Sequence, residues 1–322
     1  MFLRCLVSSL LISALPVSAE VAAREMVYQS AFIVGGQPVP RYDKGYLLYV
    51  RDGNRLEVHK PDGTLLYNVQ LPCPGTGECG TSSAAVDSRG MVAVGFAYWT
   101  KEGRAGGIRL LNAQGGEARF IETKWYVPRA LCFDEKGDLW SLGWLRDPYN
   151  PEFPVKADHA IVRKFSPEGK ELGQYVPRSL WPGSKSSPGS AGVTVNYWTM
   201  AAASDRIGAL VHGNHADNDA EWVEWDLQGN LLSRTVVPKR MSAGRAFTSD
   251  GKFYARFPVN GGPEVELRVL DRATGKWTAI AANLPEYGDW PRAFLLGAHD
   301  RELVYRVGPG NVHIMRVAPG AK

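Results

Sequence analysis

Six times along the chain a short apolar run ends in a turn bearing Asp or Gly, and an alternating apolar-polar segment then closes on a second glycine turn. The first turns are Asp43-Lys44-Gly45, Asp87-Ser88-Arg89-Gly90, Asp134-Glu135-Lys136-Gly137, Asp205-Arg206-Ile207-Gly208, Asp250-Gly251 and a degenerate Gly297-Ala298-His299-Asp300. The second turns fall at Gly63, Gly115, Gly169, Gly229, Gly275 and Gly320. Between the turns Val, Leu, Ile, Phe, Tyr and Trp are frequent, and no segment keeps a helical period, so the units are made of short strands. In the second unit the strands expected are 84–86, 91–96, 107–111 and 118–123; in the third they are 129–133, 139–143, 160–165 and 171–176.

A period of about 40 to 50 residues built from four short strands predicts an all-β fold, a six-bladed β-propeller, or seven-bladed if one degenerate unit conceals another. The last unit shows three strands before the chain ends. The apolar run 26–35 precedes the first unit, and as the outer strand of the last blade it would close the ring and remove an exposed edge. An Asp-x-x-Gly turn after a short inner strand, then a longer second strand and a glycine-turned outer hairpin, resembles the six-bladed propellers of the NHL and TolB-like class. That resemblance covers most of the chain and implies a fold only, since such propellers serve as binding proteins, lactonases, peptidase accessory domains and signalling proteins.

Residues 1–19 carry Arg4, an apolar stretch from Leu6 to Val17 and a small-x-small ending at Val17-Ser18-Ala19, the pattern of a cleaved secretory signal. The stretch is shorter than the roughly 20 residues that span a bilayer. The expectation is a secreted or periplasmic protein whose residues 20–322 form a single domain. Loss of Arg4 takes the formal charge from +4 to +3, with both signs interspersed, which implies neither nucleic acid nor membrane insertion. Cys73 and Cys79 bracket Pro-Gly-Thr-Gly-Glu, a turn-forming spacer, and in an oxidising compartment they are expected to pair as a disulfide. Cys132, between Leu131 and Phe133, reads as a small buried apolar residue.

In such a blade both tight turns fall at one end, so the longer connections mark the other end as the working face. These connections bring Trp144, Trp198 and Trp290 to that face, aromatic surfaces that either pack the loops or take a sugar ring or other flat ligand. Arg129 precedes Asp134 by five residues, Arg245 precedes Asp250 by five, and Arg292 precedes Gly297 by five, each followed by Ala. At one register the three would ring the channel mouth. Two guanidinium groups about 10 Å apart repel by about 1.7 kcal/mol at an effective dielectric of 20, so the ring needs acids such as Asp289 or Glu122, or a bound anion. Arg41 precedes its Asp by two residues, after Pro38 and Pro40, and joins this set only weakly. His212, His215 and Asp217 are the densest metal-capable group, without a third histidine or cysteine at fixed spacing. No nucleophile-elbow, zincin, haem or Walker motif is present. Two functions follow. The first is a binding module, without cofactor, for a small anionic or carbohydrate-like ligand or a protein partner. The second is a lactonase- or hydrolase-like enzyme with a divalent metal at the channel mouth.

Overall fold

The computed structural model describes residues 22–26, 41–51, 54–60, 62–75, 77–145, 159–177, 180, 193–194, 200–213, 220–237, 245–247, 251–258, 265–281, 294–299, 302–307 and 311–316. Its strands pair with antiparallel neighbours. The first sheet is β2 (Arg41–Asp43), β3 (Tyr46–Arg51), β4 (Arg55–His59) and β5 (Leu65–Gln70). The second is β6 (Cys79–Val86), β7 (Val92–Thr100), β8 (Gly103–Leu111) and β9 (Glu117–Lys124). The third is β10 (Tyr126–Phe133), β11 (Leu139–Leu145), β12 (Ala160–Phe165) and β13 (Glu171–Pro177). The next sheet holds β14 (Val193–Thr194), β15 (Met200–Ala202), β16 (Arg206–Gly213), β17 (Ala220–Asp226) and β18 (Leu231–Val237). It is followed by β19 (Arg245–Phe247), β20 (Phe253–Pro258), β21 (Val265–Asp271) and β22 (Lys276–Ala281). The last sheet is β23 (Phe294–His299), β24 (Glu302–Val307), β25 (Asn311–Arg316) and, from the other end of the chain, β1 (Ala22–Met26).

The first strands of successive sheets, β2, β6, β10, β15, β19 and β23, lie against one another in a cycle that returns to β2. This is an all-β propeller with the short first strands around its axis. Among the described residues five sheets are regular four-stranded blades, one fewer than the repeat count predicts. The remaining sheet departs because its innermost element is split: β14 pairs with Gly213 and His212 while β15 pairs with Ala209, Gly208 and Ile207 of the same β16.

The recurrent Asp-x-x-Gly has a direct cause. The Asp87 carboxylate accepts from the backbone N–H groups of Arg89 and Met91, and Asp134 accepts from those of Lys136 and Asp138. The glycines three residues on, Gly90 (φ 83°) and Gly137 (φ 84°), hold a left-handed conformation that other residues adopt at a cost. Asp226 and Asn112 repeat the arrangement in the outer hairpins. Burial of Asp134 is offset by Trp140 Nε1, which donates to it at 3.0 Å, and by Lys164, 3.5 Å away. Burial works against the Lys164 charge, but Asp138 and Asp134 outweigh it and raise its pKa.

Between blades the sheets pack through apolar faces. Trp140 and Trp225 meet in one interface with Cys132, Leu142, Ile161 and Val211, and Trp222 stacks on Phe253 in another, ring centroids 4.1 Å apart. Cys132 is buried as expected, and burial pushes its thiol pKa up, away from the reactive thiolate.

The N-terminal strand does complete the last sheet, but through different residues from those expected. Ala22 to Met26 pair with Arg316 to Val312, whereas 27–35 of the expected run lie outside the described residues. The charged Arg24 and Glu25 suit an outer strand at the sheet edge better than the more apolar run after it does. Removing residues 20–26 is expected to cost about 2 kcal/mol, from hydrogen bonds each worth roughly 0.5–1.5 kcal/mol. A melting temperature about 5 °C lower should follow. An unchanged melting temperature would count against closure by β1.

Candidate functional site

The axis of the ring is occupied by Arg41. Its Nη1 donates to the carbonyls of Ala84 (2.9 Å) and Leu131 (2.6 Å), and its Nη2 to that of Met200 (2.8 Å). These acceptors belong to β6, β10 and β15, and each lies two residues before the last paired residue of its strand, Val86, Phe133 and Ala202. Equivalent carbonyls of three blades therefore converge on one planar guanidinium fork, whose spread of donors a lysine's point charge does not reproduce. Asp43 balances the charge at 3.2 Å and also accepts from the Val86 N–H. Next to it the Lys44 ammonium donates to the Asp134 carbonyl. The Arg41 and Asp43 side chains are only 11% and 14% exposed.

Each first strand runs towards its tight turn, so residues before Ala84 and Leu131 lie nearer the opposite mouth. The next positions outward are Ser82 and Arg129. Both sit where the ladder register shifts, between Thr81 and Ser83 and between Pro128 and Ala130. Such bulges re-aim a side chain and recur next to functional sites. Ser82 Oγ donates to the Pro128 carbonyl, tying these two bulges together. Arg129 is half-buried.

The expected ring of three arginines at one register does not form. Arg245 pairs with Ala255 and its strand closes at Phe247 opposite Phe253, which matches Leu131 opposite Ser141 and Phe133 opposite Leu139. Arg245 is therefore the counterpart of Leu131, not of Arg129. The sequence count failed because Asp134 stands three residues before its left-handed glycine whereas Asp250 stands one before Gly251. In the last sheet β23 continues through Gly297, paired with Val304, to His299, paired with Glu302, so the strand does not turn at Gly297. Arg292 lies outside the described residues.

Of the three tryptophans, Trp144 is placed in β11 opposite Val127, while Trp198 and Trp290 lie outside the described residues. His212 pairs through its backbone with Thr194 and Ala220; His215 and Asp217 lie outside. The Cys73–Cys79 disulfide is present, with Cα atoms 5.7 Å apart. It closes the connection from β5 to β6 at the same end as the other long connections. Asn54, in the turn between β3 and β4 with φ 61°, anchors it: its Nδ2 lies 2.8 Å from Cys79 Sγ and 3.6 Å from Cys73 Sγ, while its Oδ1 accepts from the Thr81 N–H. Arg109, between the rings of Phe96 and Phe120, donates to the Pro72 carbonyl and fixes the start of the same connection.

No protein-family model and no curated protein matches the chain. Solved structures do. A luciferin-regenerating enzyme is 11% identical, with 94% of this chain and 96% of that chain covered and a TM-score of 0.50. The β-propeller domain of the Trilobed protease from Pyrococcus furiosus is 10% identical, covering 76% and 70%, with a TM-score of 0.47. BamB from Moraxella catarrhalis is 9% identical, covering 92% and 100%, with a TM-score of 0.41. At such identities the likeness is one of fold.

Proposed function

We propose that the chain is an exported six-bladed propeller that acts as a binding module, taking a small anionic or carbohydrate-like ligand at the end of the ring where the long connections lie. The observation that carries this reading is the Arg41 fork across the axis. With its donors committed to three carbonyls and to Asp43, Arg41 forms a neutralised floor rather than a passage. Directly above that floor the bulge residues Ser82 and Arg129 would line the deepest part of a site entered from the mouth, and Arg129 supplies a planar cation suited to a carboxylate or phosphate. The disulfide at the same end is consistent with secretion or a periplasmic location.

Inorganic phosphate, citrate and glucuronate, titrated calorimetrically into the full protein, test the reading. Arg129→Ala is expected to weaken binding of the anion that registers by about tenfold, the loss of one charge-assisted hydrogen bond. The difference should shrink as salt rises. No binding by any of the three probes, together with one equivalent of divalent metal in the purified protein, would instead favour the metal-dependent hydrolase, for which His212, His215 and Asp217 would be the ligands.

A further inference from the structure

We infer that the Cys73–Cys79 disulfide is a thiol-exchange site of fixed polarity, in which a thiolate attacks Cys73 and Cys79 departs. The two sulfurs differ in their surroundings. Cys73 is exposed, whereas Cys79 is half-buried, opens β6 and pairs with Tyr98. The Asn54 amide lies 2.8 Å from Cys79 Sγ and 3.6 Å from Cys73 Sγ. An N–H donor on a sulfur stabilises the thiolate that forms there and so makes it the better leaving group. The same amide occupies space beside Cys79, which leaves Cys73 as the sulfur open to an incoming nucleophile.

The step balances with a thiol reductant. Its thiolate forms a bond to Cys73 Sγ, the bond between Cys73 and Cys79 breaks, and the electron pair stays on Cys79 Sγ, which later takes a proton from water. A second thiolate attacks the reductant sulfur of the mixed disulfide and releases Cys73. Two reductant thiols become one disulfide, and the protein disulfide becomes two thiols.

Opening the bond would free a strap that is fitted closely to the neighbouring hairpin. Trp99 N–H donates to the Glu78 carbonyl at 3.3 Å. A Cβ at Gly75 would collide with the Trp99 carbonyl oxygen, and one at Gly77 would stand 3.1 Å from the Trp99 Cβ, so backbone and tryptophan are in direct contact along the loop. Exchange at Cys73 thus changes the surface presented by Trp99 at the working end, whatever ligand that end takes.

The test treats the full oxidised protein with reduced glutathione, quenches with acid, and locates the adduct by peptide mass spectrometry. Glutathione should be found on Cys73 at least about tenfold more often than on Cys79. Asn54→Asp keeps an oxygen for the Thr81 N–H and tolerates the left-handed backbone, but loses the donor and sets a negative charge beside the departing thiolate. That variant should exchange about tenfold more slowly and lose most of the preference. Equal labelling of both cysteines in the wild type, a preference for Cys79, or no adduct on the folded protein when the urea-unfolded protein labels readily, would each overturn the inference. So would an Asn54→Asp variant that exchanges with unchanged rate and polarity. The wild-type map decides the polarity even if the variant fails to fold.

Discussion

Arg41→Met is expected to lower the stability of the fold by about 3–5 kcal/mol, the range for removing one partner of a buried ion pair. The substitution keeps an unbranched apolar stem, so the loss is that of the guanidinium. Three carbonyls, on Ala84, Leu131 and Met200, lose a donor at once, and Asp43 is left with the Val86 N–H and no cation. Each unsatisfied acceptor costs roughly 1–3 kcal/mol if it stays dry. Water entering the axis from the turn side recovers part of that, which is why the total lies below the sum. Arg41→Lys restores the charge but not the fork, and should fall between the wild type and the methionine variant. Urea denaturation at constant slope measures both. A loss below about 1 kcal/mol for Arg41→Met would show that water serves these carbonyls as well as arginine does, and the axis would then be a wet channel rather than a closed floor.

How much of this was legible in the sequence depends on whether the cause lies in side-chain identity or in the backbone ladder. The turns were legible because only Asp, Asn or Ser can accept from the next two turn N–H groups and only Gly takes the left-handed position cheaply; Asp87, Asp134 and their glycines state the strand ends almost unaided. The strands of the second and third units follow and lie in place, with β12 at its expected bounds and others extended, β6 by as many as five residues. The disulfide was legible for the same reason, its spacer being written in Pro and Gly. The axis was not. Arg41 binds main-chain oxygens, and no residue type among Ala84, Leu131 and Met200 announces that role. Its two-residue distance from Asp43, which set it apart from the other arginines, reflects a strand of three residues. Arg129 and Arg245 differ in register because Asp134 stands three residues before its left-handed glycine and Asp250 only one, so distance from the Asp does not give the place in the ladder. Bulges at Ser82 and Arg129 have no signature that composition could carry.

Glu224→Ala is expected to cost about 3–5 kcal/mol, because it strips the anion from a buried polar cluster at the seam between two blades. Glu224 is 1% exposed and sits on β17 two residues from Trp222 and opposite Ser233. Arg272, 48 residues later at the outer turn of the next blade, donates to both of its oxygens at 2.7–2.9 Å, and Arg206 lies 3.6 Å away. Trp222 Nε1 and Ser233 Oγ donate to it as well, at 3.0 and 3.1 Å. Its removal takes this acceptor from Arg272 and from the indole N–H of Trp222, whose ring stacks on Phe253, while Arg206 keeps Asp205. The arginine side chains, each 26% exposed, can turn towards water, so Arg272→Ala should cost less than Glu224→Ala even though it breaks the same contact. That asymmetry separates a cluster held by the carboxylate from one held by charge attraction alone. In the paired variant Glu224→Leu with Arg272→Met, apolar groups of similar volume replace both ions, and much of the lost stability should return. Tryptophan fluorescence reports on the seam through Trp222, and the melting curves of the wild type, Glu224→Leu, Arg272→Met and the paired variant form a double-mutant cycle with an expected coupling of about 2 kcal/mol. If Glu224→Ala melts within about 1 °C of the wild type, a shift equivalent to less than 0.5 kcal/mol, the carboxylate does not hold the blades together, and the stacked Trp222 and Phe253 must carry the seam by packing alone.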